Sequence, residues 1–153
     1  MQIIIPMSGI GKRFLNSNYK IPKPLIKIDG KPMIHHVIDM FPGEKDFTFI
    51  CNEDHLKNKD YNMKNIIKSK INNAKIISIK PHKLGPVYAV SKVLNIVKDK
   101  EPVIINYCDF SCYWNYKLFK SIILKGQFDG CIPAYRNFHP HSLWQNNYAF
   151  IKE

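Results

Sequence analysis

Short apolar runs alternate with segments of helical period along this chain, and that alternation narrows the fold more than any other feature. Ile3 to Ile5, Phe47 to Cys51, Ala74 to Ile79 and Val103 to Tyr107 are strand-length runs rich in β-branched and aromatic residues. Continuous apolar strands are the mark of sheets covered on both faces, which are mostly parallel. Between them, Ile34, Val37, Ile38 and Phe41 fall at i, i+3, i+4 and i+7 after Pro32, and Pro42-Gly43 ends the pattern. Val87, Val90, Leu94 and Val97 trace a helical face after Pro86, a third helix is expected over Tyr116 to Leu124, and a short one near Tyr61 to Ser69. Leu25 to Ile28 reads as a small strand closed by a turn at Asp29-Gly30. Cys131 to Tyr135 reads as a strand that Pro133 confines to an edge, and Tyr148 to Ile151 as a last strand. The pattern predicts an α/β fold with a mostly parallel sheet. Ligands of such sheets bind beyond the carboxyl ends of the strands, so the loops after Ile5, Ile79 and Tyr107 should share one rim.

The 153 residues suit one domain with a hydrophobic core. No apolar run approaches the roughly 20 residues that span a bilayer. Met1-Gln2-Ile3-Ile4-Ile5-Pro6 has no basic lead and no small-residue cleavage site, so it reads as a strand and not as an export signal. Cys51, Cys108, Cys112 and Cys131 form no C-x-x-C pair and no zinc spacing, which points to reduced thiols in a cytoplasm. The formal charge of +11 raises the question of nucleic acid. The lysines are scattered, however, in a composition rich in Ile, Asn and Lys together, so neither a nucleic-acid nor a membrane partner is expected. An anionic small substrate needs only two or three of these cations. Nothing in the sequence sets the oligomeric state, and self-association stays open.

The loop after the first strand reads Met7-Ser8-Gly9-Ile10-Gly11-Lys12-Arg13-Phe14. Glycines let backbone N–H groups approach a phosphate, and Lys12 and Arg13 add charge. One residue separates Gly9 from Gly11, so this is no P-loop; Phe14 stands where the dinucleotide fingerprint needs glycine. A plain glycine turn would look the same in isolation. Pro22-Lys23-Pro24 follows, with two prolines fixing the backbone around one lysine. Asp109 ends the fourth apolar run, where a lone aspartate is commonly a helix cap and otherwise a hard oxygen ligand. Phe138-His139-Pro140-His141 places two imidazoles at metal-ligand spacing, but Pro140 disfavours the regular strand that would present them together. Trp114 and Trp144 read as packing residues. His35-His36 lies on a helix where neighbours diverge, so at least one is expected at the surface.

Taken in order, the strand, Gly9-Ile10-Gly11-Lys12-Arg13 and Pro22-Lys23-Pro24-Leu25 resemble the signature of the sugar-nucleotide pyrophosphorylase and cytidylyltransferase family. Lys12 stands where a small hydroxyl residue is common, and Met7-Ser8 where Ala-Ala or Ala-Gly is usual. The resemblance implies a Rossmann-like, nucleotide-diphospho-sugar transferase-like sheet with flanking helices. It implies a nucleotide site formed by Met7, Ser8, Gly9, Gly11, Lys12 and Gly85. Arg13 and Lys23 are the implied catalytic residues, Asp109 the implied Mg2+ ligand, and His139 and His141 the implied contacts to a phosphorylated acceptor. The family's domains are longer, so the resemblance implies that positions 1–153 are the N-terminal portion of one catalytic domain, truncated at its C-terminus. The implied reaction transfers a nucleoside monophosphate from a nucleoside triphosphate to a sugar 1-phosphate or related phosphate, with release of pyrophosphate. CTP ranks slightly above other nucleotides. The stretches Asn106 to Phe110, His82 to Pro86 and Phe138 to His141 look like a subgroup tied to capsule or surface-polysaccharide synthesis. The competing reading is a truncated module that holds a nucleotide without catalysis.

Overall fold

The computed structural model describes residues 1–11, 20–126 and 128–134. Among the described residues four parallel strands form the central sheet: β1 (Gln2–Met7), β4 (Asp46–Asn52), β5 (Lys75–Ile79) and β6 (Val103–Ile105). Their spatial order is β5-β4-β1-β6. The helices are α1 (Met33–Asp39), α2 (Glu53–Lys57), α3 (Met63–Lys70), α4 (Gly85–Ser91) and α5 (Tyr116–Lys125). A separate two-residue hairpin pairs β2 (Lys27–Ile28) with β3 (Lys31–Pro32). Its turn has positive φ at both Asp29 and Gly30, the geometry of a tight hairpin that an Asp-Gly pair adopts readily.

The period-2 alternation of a strand sorts the core into two layers. Ile3, Ile5, Phe47 and Phe49 point to one face and pack with Ile34 and Val37 of α1 and with Met63 and Ile67 of α3. Ile4 and Ile50 point to the other face and meet Ala89 and Val93. All of β1 is buried, as expected for a strand flanked on both edges and covered on both faces. Each fully buried Ile or Phe contributes about 1.5–3 kcal/mol relative to exposure.

After β1 the chain adds β4 and then β5 on one side, then crosses back through α4 to place β6 on the other side of β1. The strand order therefore reverses between β1 and β6, the kind of switch point beyond whose carboxyl ends such sheets bind ligands. This matches the mostly parallel, helix-flanked sheet expected from sequence.

Three local expectations need correction. The helix after Pro86 does not bury the Val87–Leu94 face: Val87 is 82% and Leu94 61% exposed, while Ala89 and Val93 are buried. The α-helix stops at Ser91, and a 3-10 turn over Leu94–Ile96 follows, so the period changes inside the stretch. The fourth strand ends at Ile105 and not at Tyr107. The Asn106 side chain donates to the carbonyls of Tyr107 and Phe110 and folds the backbone into a turn. Residues 131–134 are not a strand; Tyr135 and the stretch from Tyr148 to Ile151 lie outside the described residues. Elsewhere, Asn52 to Lys70 holds two helices where one was expected, with Asn52 capping the first through Asp54 N–H.

Candidate functional site

Three loops meet at the carboxyl rim of the sheet. The first leaves β1 at Ser8. Ser8 is buried, and its carbonyl accepts a 3.4 Å bond from Asn52 Nδ2 at the end of β4. Its Oγ lies 3.0 Å from His82 Nε2 in the loop after β5. The loop then reaches Gly9 and Gly11. Gly11 has φ +66°, a left-handed conformation that glycine adopts at least cost. Gly9 has no such constraint, and a Cβ built on it would meet nothing within 4 Å.

The second component is the Pro22-Lys23-Pro24-Leu25 turn. Leu25 N–H donates to the Pro22 carbonyl at 2.9 Å, and Pro24 and Leu25 are buried. This anchors the backbone on both sides of Lys23, as the two prolines suggest. The Lys23 ammonium is thereby held at the rim, where it forms an ion pair with the Asp109 carboxylate. Both side chains keep about three-tenths of their surface exposed, within reach of a ligand.

Asp109 sits in the turn that follows β6. The far end of that segment is fixed by Trp114, whose Nε1 donates to the Met40 carbonyl at 2.9 Å, and by Tyr116, whose hydroxyl donates to Glu44 at 2.7 Å. Trp114 also packs edge-on against Phe41, so the expected packing role holds. Beside Asp109, burial pushes the Cys108 thiol up to about 11, and nearby Lys23 offsets this only in part. Burial likewise pushes Cys51 up to about 12. Both stay protonated near neutral pH and are unsuited to hold a metal as thiolates. Among the described residues no three His, Cys, Asp or Glu side chains converge, so Asp109 stands as a single carboxylate.

Gly85 opens α4 on the third loop with φ +80°. The structure thus brings Met7, Ser8, Gly9, Gly11, Lys23, Gly85 and Asp109 to one rim. Lys12, Arg13, His139 and His141 lie outside the described residues, as does Trp144. His82 and Asn52, which join the loops, received no role from sequence. An asparagine at a strand end is an ordinary helix cap, and a histidine in a Lys-Pro-His-Lys loop reads as solvated surface. His35 and His36 both bond backbone carbonyls, of Ile66 and Ile28, and both are structural.

Gly9 separates a plain turn from a binding loop. Gly9→Ala is expected to leave stability within about 0.5 kcal/mol, because its φ is unstrained and the space is open. It should weaken nucleotide binding if a ligand lies against this backbone. Gly11→Ala and Gly85→Ala should each cost stability by about 1 kcal/mol or more from the positive φ alone. Thermal unfolding beside nucleotide titration of the three variants checks this.

The parallel order with its switch point puts the glycine and Pro-Lys-Pro loops at the rim where sheets of the doubly wound α/β class bind their ligands. No family model matches the chain. Individual sequences do. It is 33% identical over 128 residues to the bifunctional protein GlmU of Buchnera aphidicola, a match covering 82% of this chain and 26% of that protein. It is 36% identical over 53 residues to the glucose-1-phosphate cytidylyltransferase of Salmonella typhimurium, covering 33% of this chain and 21% of the relative. The solved structure of HddC from Yersinia pseudotuberculosis superposes with a TM-score of 0.57 at 24% identity, over 81% of this chain and 54% of that one. The chain therefore spans about a quarter or less of these curated relatives and about half of the solved neighbour. The chain is thus similar to nucleotidyltransferases of the sugar-nucleotide pyrophosphorylase and cytidylyltransferase kind, and it shares their fold.

Proposed function

We propose that this chain is the nucleotide-binding portion of an enzyme that moves a nucleoside monophosphate from a nucleoside triphosphate to a phosphorylated small molecule. The observation that carries the proposal is the Lys23–Asp109 pair held at the switch point between β1 and β6. A fixed ammonium and a fixed carboxylate at a switch point, beside two glycine loops, offer one partner for phosphate and one for its counter-ion. Lys23 would hold the α-phosphate and the incoming acceptor phosphate. Backbone N–H groups of Met7 to Gly11 and of Gly85 would receive phosphates and base. Arg13, by its place in the loop, would neutralise the departing β- and γ-phosphates, and Lys12 would add to the nucleotide-binding set. His139 and His141 would contact the acceptor.

The donor set suits Mg2+. That ion favours hard oxygen ligands and commonly takes one or two carboxylates plus substrate phosphates, so the single exposed Asp109 carboxylate is a fitting protein ligand. When bound, it would supply charge neutralisation at the triphosphate. The chain's own part is positioning: it orients the acceptor oxygen in line with the α-phosphorus and stabilises charge on the leaving pyrophosphate.

The cytidylyltransferase among the relatives supports CTP as donor and a sugar 1-phosphate as acceptor. On the resemblance of its loops, we place the product in capsule or surface-polysaccharide synthesis in the cytoplasm. Among the described residues no helix is long and apolar enough to cross a membrane.

Ligands that bind only the folded state raise its stability by mass action, by about 2.7 kcal/mol at a hundredfold excess over Kd. A thermal-shift panel of CTP, UTP, GTP, ATP and dTTP with Mg2+ should therefore give a clear shift with at least one. No shift at millimolar concentration with any of the five removes the nucleotide reading. Mg2+-dependent pyrophosphate release with a panel of sugar phosphates then separates an enzyme from a module that only binds.

A further inference from the structure

We propose that His82 is a positioning residue: in its neutral Nε2–H form it latches the loop after β5 to the loop after β1, and so sets the spacing of the two glycine loops. The proposal rests on the nucleotide reading above.

The ring's hydrogen bonds define its tautomer. Leu84 N–H points at His82 Nδ1 from 3.3 Å, and an N–H donor can be received only by a ring nitrogen that carries no hydrogen. In the neutral ring the hydrogen is then on Nε2, which faces Ser8 Oγ at 3.0 Å. His82 is therefore acceptor to its own loop and donor to another, and no other neutral arrangement satisfies both contacts.

The connection is long-range. Ser8 and His82 are 74 residues apart, and their strands β1 and β5 are not neighbours, because β4 lies between them. The last residue of β4, Asn52, donates to the Ser8 carbonyl from within the core. Three successive strand ends are thus tied through Ser8. The buried serine sits one residue before Gly9, and His82 sits three before Gly85, so the latch spans the two loops proposed to take the nucleotide.

The ring is also held from the side. Tyr88 of α4 packs edge-on against it at a 4.7 Å centroid distance, and Lys92 Nζ lies 4.4 Å over the opposite partner of that contact, the Tyr88 ring. The latch therefore couples to the first turn of α4, which begins at Gly85. A histidine whose only job was to fill space would need neither the buried serine nor the defined tautomer.

Two measurements test the proposal. Long-range 1H–15N correlation spectra of 15N-histidine-labelled protein without nucleotide should show His82 as the Nε2–H tautomer. A ring carrying its hydrogen on Nδ1, or one averaging freely between forms, overturns the latch, and this needs no variant. The second measurement is affinity for the tightest-binding triphosphate of CTP, UTP, GTP, ATP and dTTP. Ser8→Ala and His82→Phe should each weaken it about three- to tenfold, the range of a single hydrogen bond. The double variant should be no weaker than the weaker single, since both remove the same bond. His82→Gln, which keeps a side-chain N–H donor, should recover most of the loss. Additive losses, or unchanged affinity in every variant, overturn the positioning role. If the wild-type protein binds none of the five, the nucleotide reading fails, while the spectrum still decides the latch.

Discussion

Lys23→Ala is expected to weaken triphosphate binding by about 10- to 150-fold and to change unfolding free energy by less than about 1 kcal/mol. The two magnitudes come from different environments. A charge-assisted hydrogen bond to phosphate is worth roughly 1.5–3 kcal/mol, and each 1.4 kcal/mol is tenfold in affinity. The Lys23–Asp109 pair of the ligand-free protein is partly exposed on both sides, and solvent-exposed ion pairs are worth only about 0–1 kcal/mol. The ammonium therefore matters little to folding and much to the ligand. Lys64→Ala and Lys68→Ala are the controls. Both lysines are exposed on α3, outside the three rim loops, and should leave affinity within about twofold. Calorimetric titration with Mg2+ and triphosphate, beside denaturant unfolding, measures both quantities. Equal small losses in all three variants would mean that diffuse positive charge attracts the nucleotide, and the Pro-Lys-Pro turn would lose its assigned role.

The sheet was legible because its strands are buried on both faces. Ile3 to Ile5 and Phe47 to Cys51 carry no polar alternation that a helix could mimic, and their flanking turns bound them closely. Helical faces were less legible where the helix is short. Seven residues of α4 make barely two turns, and the 3-10 turn that follows shifts the period from 3.6 to 3, so a face read across both segments points the wrong way. Strand ends were misread by two residues in β6 because Asn106 redirects the backbone through its own side chain, a contact that hydropathy does not register.

The site divides along similar lines. Lys23 and Asp109 could be singled out because each sits at a marked local position, between prolines or after an apolar run. Their pairing could not, since 86 residues separate them and only the strand order brings them together. The same holds for Ser8 and His82. Local chemistry therefore nominated residues, while non-local topology decided which of them meet.

Glu44→Gln is expected to destabilise the protein by about 3 kcal/mol at neutral pH, with the loss shrinking as the solution is acidified. Glu44 is buried, and it accepts from the Met1 ammonium at 2.7 Å, the Tyr116 hydroxyl at 2.7 Å and the Lys120 ammonium. Burial alone would raise its carboxyl above the ordinary value of 4.5. The bonds from Lys120, the N-terminal ammonium and Tyr116 outweigh burial and hold it at about 2. A carboxyl depressed in the folded state contributes stability that is full above its unfolded value and is lost as pH falls through its folded value. The window is therefore about pH 4.5 down to about 2. The shift corresponds to about 3 kcal/mol, of which roughly half should remain at pH 3. Denaturant unfolding of wild type and variant at pH 7 and pH 3 reads this difference directly, because the other carboxylates cancel between the two proteins. A gap that stays constant with pH would show that Glu44 acts through its shape and not its charge. The site should feel the change as well. Tyr116 and Trp114 fix the far end of the segment that carries Asp109, and Glu44 is the carboxylate that holds Tyr116. Loosening that end lets Asp109 drift from Lys23, so the variant should also bind Mg2+-triphosphate less tightly at pH 7, although Glu44 itself lies outside the loops that form the rim.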